Sequence, residues 1–198
     1  MKKPILAIAL AALILFGASF GLNGIAANNA QKAHLEMMQL LLPGSETFTV
    51  EPYSGEDANI VSVHKSDIGF VVEASTYGYA GEITMLIGVN NAGKVTGLVV
   101  QEAHETFGLG NQALTDHVFL SQFLNQSGTF AVATHGEEAD AFSSATGEDA
   151  AATAGESIEV DALTGATVTT KAVIRCVNSA VAYVTGADTS SSATSWGG

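Results

Sequence analysis

Cysteine is almost absent from the chain, with Cys176 the single example in 198 residues. One thiol cannot build an internal disulfide framework or a cysteine-based zinc or iron–sulfur cage. Basic residues are scarce as well. Seven Lys and Arg stand against twenty Asp and Glu, a net charge of -13. Nucleic acid is therefore a poor partner, because binding it rests on neutralising phosphates. Charged residues amount to 14% against 47% hydrophobic, which excludes wholesale disorder. The histidines at 34, 64, 104, 117 and 135 lack a metal spacing such as His-x-x-x-His, so no metal site is assigned. There is no Walker motif and no Gly-x-Ser-x-Gly elbow. Gly108-Leu109-Gly110 is too short for a dinucleotide fingerprint. No nucleophile–base set is identifiable, so no catalytic residue is assigned. No internal repeat is evident.

What is present suffices for one domain with appendages. Lys2 and Lys3 precede an uncharged run from Ile5 to Leu22 whose only polar side chain is Ser19. That length approaches the roughly 20 residues a helix needs to cross a bilayer core. The paired lysines favour the cytoplasmic side and leave the rest outside. A cleaved signal peptide is the alternative, with small residues at Gly24-Ile25-Ala26-Ala27. From His34 onward four bases face all twenty acids, a net of -16. The expected organisation is an anchor over 1–27, a helical stalk and linker over 28–59, a folded domain over 60–186 and a flexible tail over 187–198.

Periodicity predicts a helix over 28–42, with Leu35, Met38, Leu41 and Leu42 on one side and Pro43-Gly44 ending it. Strands are expected at 60–64 and 69–77. Two β-rich runs, 83–89 and 95–101, flank Asn90-Asn91-Ala92-Gly93 and predict a hairpin. A helix is expected over 114–124, a strand over 130–134 and another at 158–160. Val173, Val177, Ala180, Val181 and Val184 form one stripe of a last helix. Gly186 stands where its C-terminal cap would fall. Residues 136–157 hold six acids and no base and are expected to be an exposed insert. A calcium site or a docking surface is the sharper alternative there, although the spacing fits no EF-hand loop. The order of elements predicts an α+β domain with an antiparallel sheet and packed helices.

The segment with most chemistry is Asp161-Ala162-Leu163-Thr164-Gly165-Ala166-Thr167. Free backbone N–H groups and the dipole at a helix start suit a phosphate. Gly165 and Ala166 allow close approach to the backbone. The hydroxyls of Thr164, Thr167, Thr169 and Thr170 can cap the helix or bond phosphate oxygens. On local physics, an ordinary capped helix start explains the same residues.

The segment resembles the flavinylation motif Asp-x-x-Ser/Thr-Gly-Ala-Thr of the FMN-binding domain family. A second region is similar in the same order: Gly78-Tyr79-Ala80-Gly81-Glu82-Ile83, the hairpin, then His104-Glu105-Thr106-Phe107-Gly108-Leu109-Gly110. Phe107 stands where the family commonly has proline. The resemblance covers roughly residues 60–185. It implies FMN joined covalently through a phosphoester to Thr167, with Glu105 and Thr106 close to the flavin and Leu109 packed nearby. Asp161, Thr164, Gly165 and Ala166 are expected around the phosphate. A separate flavin transferase using FAD and magnesium is implied, since a Thr hydroxyl is a poor nucleophile without an activating base or metal.

The anchor and the external domain also resemble the G-type subunits of Rnf complexes. The implied role is an electron-transfer subunit of a membrane complex coupling ferredoxin/NAD electron transfer to ion translocation, partnered by the other subunits. A component of a sodium-pumping NADH:quinone oxidoreductase, a stand-alone extracellular flavoprotein and a non-redox anchored binding module are the alternatives. The expected location is the bacterial cell membrane, with the FMN domain on the extracytoplasmic side.

Overall fold

The computed structural model describes residues 29–105, 109–133 and 157–187, with backbone alone at Leu109, Gln112 and Ala113. The expected span at 5–22, Phe107, the acidic segment and the tail from Asp188 lie outside these residues. No helix among the described residues is long and apolar enough to cross a membrane. The chain divides into two units, Met1–Met37 and Met38–Gly198. In the first, the described residues are helical; this helix, α1, covers residues 29–41, and its last turn, residues 38–41, belongs to the second unit.

The second unit is α+β. Five antiparallel strands lie in sequence order: β1 (Thr49–Glu51), β2 (Ile60–Lys65), β3 (Gly69–Tyr77), β4 (Glu82–Asn90) and β5 (Val95–Ala103). The expected hairpin is β4–β5, and Gly93, at φ +75°, supplies the left-handed residue in its turn. β1 is a strand that the sequence pattern does not reveal. It is three residues long and is defined by pairing with β2, with Thr49 opposite Lys65. A second sheet of two short parallel strands joins β6 (Phe130–Val132) to β7 (Ile158–Val160).

Alternation along the strands gives the sheet two faces. Val72 and Ala74 share one face with Ile83, Met85, Ile87 and Val89. They form the core with Val173, Cys176, Val177, Ala180 and Val181 of the last helix, α4 (Thr167–Thr185). Fully burying such an aliphatic side chain stabilises by about 1.5–3 kcal/mol. The predicted stripe is therefore the buried face of α4, and Gly186 caps it at φ +70°. On the opposite face, the end of α1 lies over β4 and β5. The Thr96 hydroxyl donates to the Leu41 carbonyl at 2.6 Å, and Gly88 and Gly97 leave room for Leu41.

The single helix expected over 114–124 is two short helices, α2 (Leu109–Thr115) and α3 (His117–Ser121). Asp116 breaks the run. Its carboxylate accepts from the N–H groups of Val118 and Phe119, so it starts α3 as an N-cap. The break lets Phe119 and Phe123 turn inward, where Phe119 meets Phe123 edge-on and Phe123 meets Phe130 at a tilt. The Asn178 amide clamps α4 to β6 by bonding both the N–H and the C=O of Phe130.

Candidate functional site

The loop entering α4 is fixed before it reaches the helix. The Gln122 side chain accepts from the Asp161 N–H at 2.8 Å and donates to its carbonyl at 3.4 Å. The Asp161 side chain itself is exposed. A tight turn follows, closed by the Ala166 N–H to the Leu163 carbonyl at 2.9 Å. Gly165 occupies its third position at φ +78°, a backbone conformation that costs a residue with a Cβ. Thr164 and Gly165 are exposed, Ala166 is buried and Thr167 is exposed at the first position of α4.

The residues of α4 itself supply neither a side-chain cap nor an acid at its start. Ala166 stands at the N-cap with no side-chain bond, and the first turn holds no acid. The first helical ladder bond runs from the Thr170 N–H to the Ala166 carbonyl. The N–H groups of Thr167, Val168 and Thr169 thus precede that ladder, at the positive end of the helix dipole. The Thr170 hydroxyl is fully buried with no hydrogen-bond partner among the described residues. Such a group ordinarily finds a partner.

Glu105 links this helix start to the turn between β3 and β4. Its Oε1 accepts from the Tyr79 N–H at 2.7 Å and from the Thr169 hydroxyl at 3.3 Å, and its Oε2 accepts from the Ala80 N–H at 3.3 Å. Two glycines make space for the carboxylate. A Cβ on Gly110 would come within 2.8 Å of Oε2, and one on Gly78 would overlap Oε1. The structure thus brings Glu105 onto the first turn of α4, two residues from Thr167. Thr106 lies outside the described residues, and Leu109 is seen only as the backbone start of α2.

Several members of the site carry no separate signal in the sequence. Gln122 gives no local hint that it holds Asp161. Thr169 is one of four candidate hydroxyls, and nothing local singles it out as the partner of Glu105. Gly78 and Gly110 sit in the two similar segments, but their need to be glycine arises only when those segments meet.

A helix start with no side-chain cap and no acid of its own, beside a buried hydroxyl without a partner among the described residues, is suited to a phosphate-bearing ligand. These features agree with the comparison to known families. The model of the FMN-binding domain matches residues 78–182, more than half of the chain, and the chain belongs to that family.

Within it, the chain is similar to the G-type subunits of ion-translocating oxidoreductase complexes. It is 34% identical over 115 residues to the G subunit of a Na(+)-translocating ferredoxin:NAD(+) oxidoreductase complex from Acetobacterium woodii, covering 58% of this chain and 48% of that protein. Against the G subunit of a proton-translocating counterpart from Clostridium ljungdahlii it is 34% identical, covering 60% and 54%. Against the G subunit of an ion-translocating oxidoreductase complex from Methanosarcina acetivorans it is 30% identical, covering 75% and 73%. The chain thus spans about half the length of the first two relatives.

Proposed function

We propose that the chain is an electron carrier of the G-subunit type that holds FMN covalently at Thr167 within a membrane-bound ion-translocating complex. The observation that carries this reading is the start of α4. There Thr167 is exposed on a helix N-terminus without a side-chain cap, and the same turn holds Thr169, bonded to Glu105, and the buried Thr170 hydroxyl. Bound there, FMN would supply one- and two-electron redox chemistry.

The chain's own residues divide the work of holding it. Gly165 keeps the backbone before Thr167 open to the phosphate, and Thr164 offers a second hydroxyl. The N–H groups of the first turn and the helix dipole face the phosphate charge. Asp161 shapes the entry loop through its Gln122-bound backbone. Glu105 keeps the Gly78–Gly81 turn closed against α4, and Thr106 and Leu109 are assigned to the ring on the family resemblance. Attachment falls to a flavin transferase. The Thr167 hydroxyl oxygen bonds to the FMN phosphorus of FAD, the pyrophosphate bond breaks, AMP leaves, and the hydroxyl proton passes to the transferase. Magnesium on that enzyme stabilises the transferring phosphoryl group.

The partners are then the other subunits of the complex, exchanging electrons between ferredoxin and NAD. Residues 1–27 form the anchor, with the domain outside the cytoplasm. The similarity to the G-type subunits supports this assignment, and the uncharged run at 5–22 supports the anchor. Intact mass and in-gel flavin fluorescence of the denatured chain, co-expressed with a flavin transferase, test it. Wild type gains the mass of one FMN less water. Thr167→Ala loses the gain, and Thr164→Ala keeps it. Colourless wild type, with the transferase active on a control acceptor, would overturn the reading.

A further inference from the structure

The turn beside the site leaves two large rings in water. Tyr77 and Tyr79 are each 73% exposed. Tyr53 and Tyr183, by contrast, pack edge-to-face against one another. An aromatic side chain brings a large apolar area, and most such area is covered in a folded protein.

The backbone that carries these rings is firmly held. The Gly78 N–H bonds the Gly81 carbonyl at 2.8 Å and closes the turn. Glu105 takes the N–H groups of Tyr79 and Ala80. Arg175, on α4, donates to the Tyr77 carbonyl at 3.0 Å. Two of these ties lead to the site itself. Glu105 Oε1 is shared by the Tyr79 N–H and the Thr169 hydroxyl, and Arg175 lies on the same helix as Thr167 at i+8. A fixed backbone presenting exposed rings meets the main requirement of a stacking platform, because little ordering cost is left for a planar ligand to meet. Planar heteroaromatic rings stack well on such side chains.

We propose that Tyr79, flanked by Tyr77, is the surface on which the isoalloxazine ring of FMN stacks. The proposal rests on attachment of FMN at Thr167. It has a direct optical consequence. A phenol in contact with photoexcited flavin gives it one electron and then takes it back. Emission is quenched, and both partners return to their starting state.

The test uses the full-length chain, co-expressed with a flavin transferase and purified in detergent. Intact mass and peptide mapping first establish FMN on Thr167. Time-resolved flavin fluorescence is then recorded for wild type, Tyr79→Phe, Tyr77→Phe, the double variant and Tyr183→Phe. Phenylalanine keeps a ring for stacking and removes the oxidisable phenol. Decay is expected to be short in wild type and Tyr183→Phe. It should lengthen toward that of free FMN in Tyr79→Phe and further in the double variant. Equal decays in wild type and the double variant would overturn the platform and leave flavinylation standing. Absence of FMN from wild type would overturn the attachment, and the platform with it.

Discussion

Glu105 joins three segments that lie far apart in the chain: the turn at Gly78–Gly81, the loop it belongs to, and α4. A carboxylate suits this position because every neighbour it meets is a donor. Glu105→Gln replaces one acceptor oxygen with an NH2 group that faces a backbone N–H. The variant should lose about 0.5–1.5 kcal/mol of stability, the net worth of a hydrogen bond whose partner water can reach, as read by urea denaturation. Cys176 behaves differently. Burial pushes its thiol from the usual 9.0 to about 12, against smaller opposing effects of the Arg175 charge and the Thr76 hydroxyl. Above pH 9 the unfolded chain releases this proton and the folded chain keeps it. Stability from this group is therefore full below pH 9 and declines as pH rises to about 12. Its contribution to the slope is about -1.4 kcal/mol per pH unit inside that window. Denaturation of wild type and Cys176→Ala at pH 8 to 11 should show the steeper decline in wild type. Equal slopes would contradict burial of the thiol.

At the level of elements, close packing of backbones explains more than propensity does. The end of α1 stays on the sheet because β4 and β5 offer Gly88 and Gly97 beneath Leu41. A Cβ at Gly88 would strike the Leu41 carbonyl, which is backbone and cannot rotate away. Gly88→Ala should cost about 1–3 kcal/mol, typical of overpacking. It should also expose the region after Leu41 to limited proteolysis, while spectra of the sheet stay unchanged. The helices follow another local rule. Asp116 divides α2 from α3 because its short carboxylate competes with the helical ladder for the next N–H groups. The apolar spacing of Leu114, Val118 and Phe119 alone suggests one continuous helix.

Over the whole molecule, charge is the dominant feature. From His34 onward the chain carries a net of -16, and two of its four bases, Lys171 and Arg175, lie on α4 at i+4 and i+8 from Thr167. A surface of one sign repels like-charged neighbours and favours contact with basic ones. The proposed anchor at residues 5–22 is the other large-scale feature. A charge at the centre of a spanning helix costs about 2.5–3.5 kcal/mol on insertion scales. Leu13→Arg should therefore move the chain from the carbonate-resistant membrane fraction toward the soluble one. Full retention in membranes would count against residues 5–22 as the span.

Local strings of sequence determined much of this protein by themselves. Alternating apolar residues about an Asn/Gly turn specified β4–β5, since both signals act over a few residues. The i, i+4 stripe specified α4 and its buried face for the same reason. The Thr-Gly-Ala-Thr turn and the Glu105 segment were visible as two candidate pieces of one site. Tertiary structure alone decided that these pieces touch. Glu105 meets Thr169 across 64 residues and Tyr79 across 26, and no local preference encodes either contact. β1 exists only through pairing with β2, and Gln122 holds Asp161 only because α3 packs beside the entry to α4. Hydrogen bonds of this kind are settled by which buried faces come together, because the hydrophobic core that joins them carries no directional information of its own.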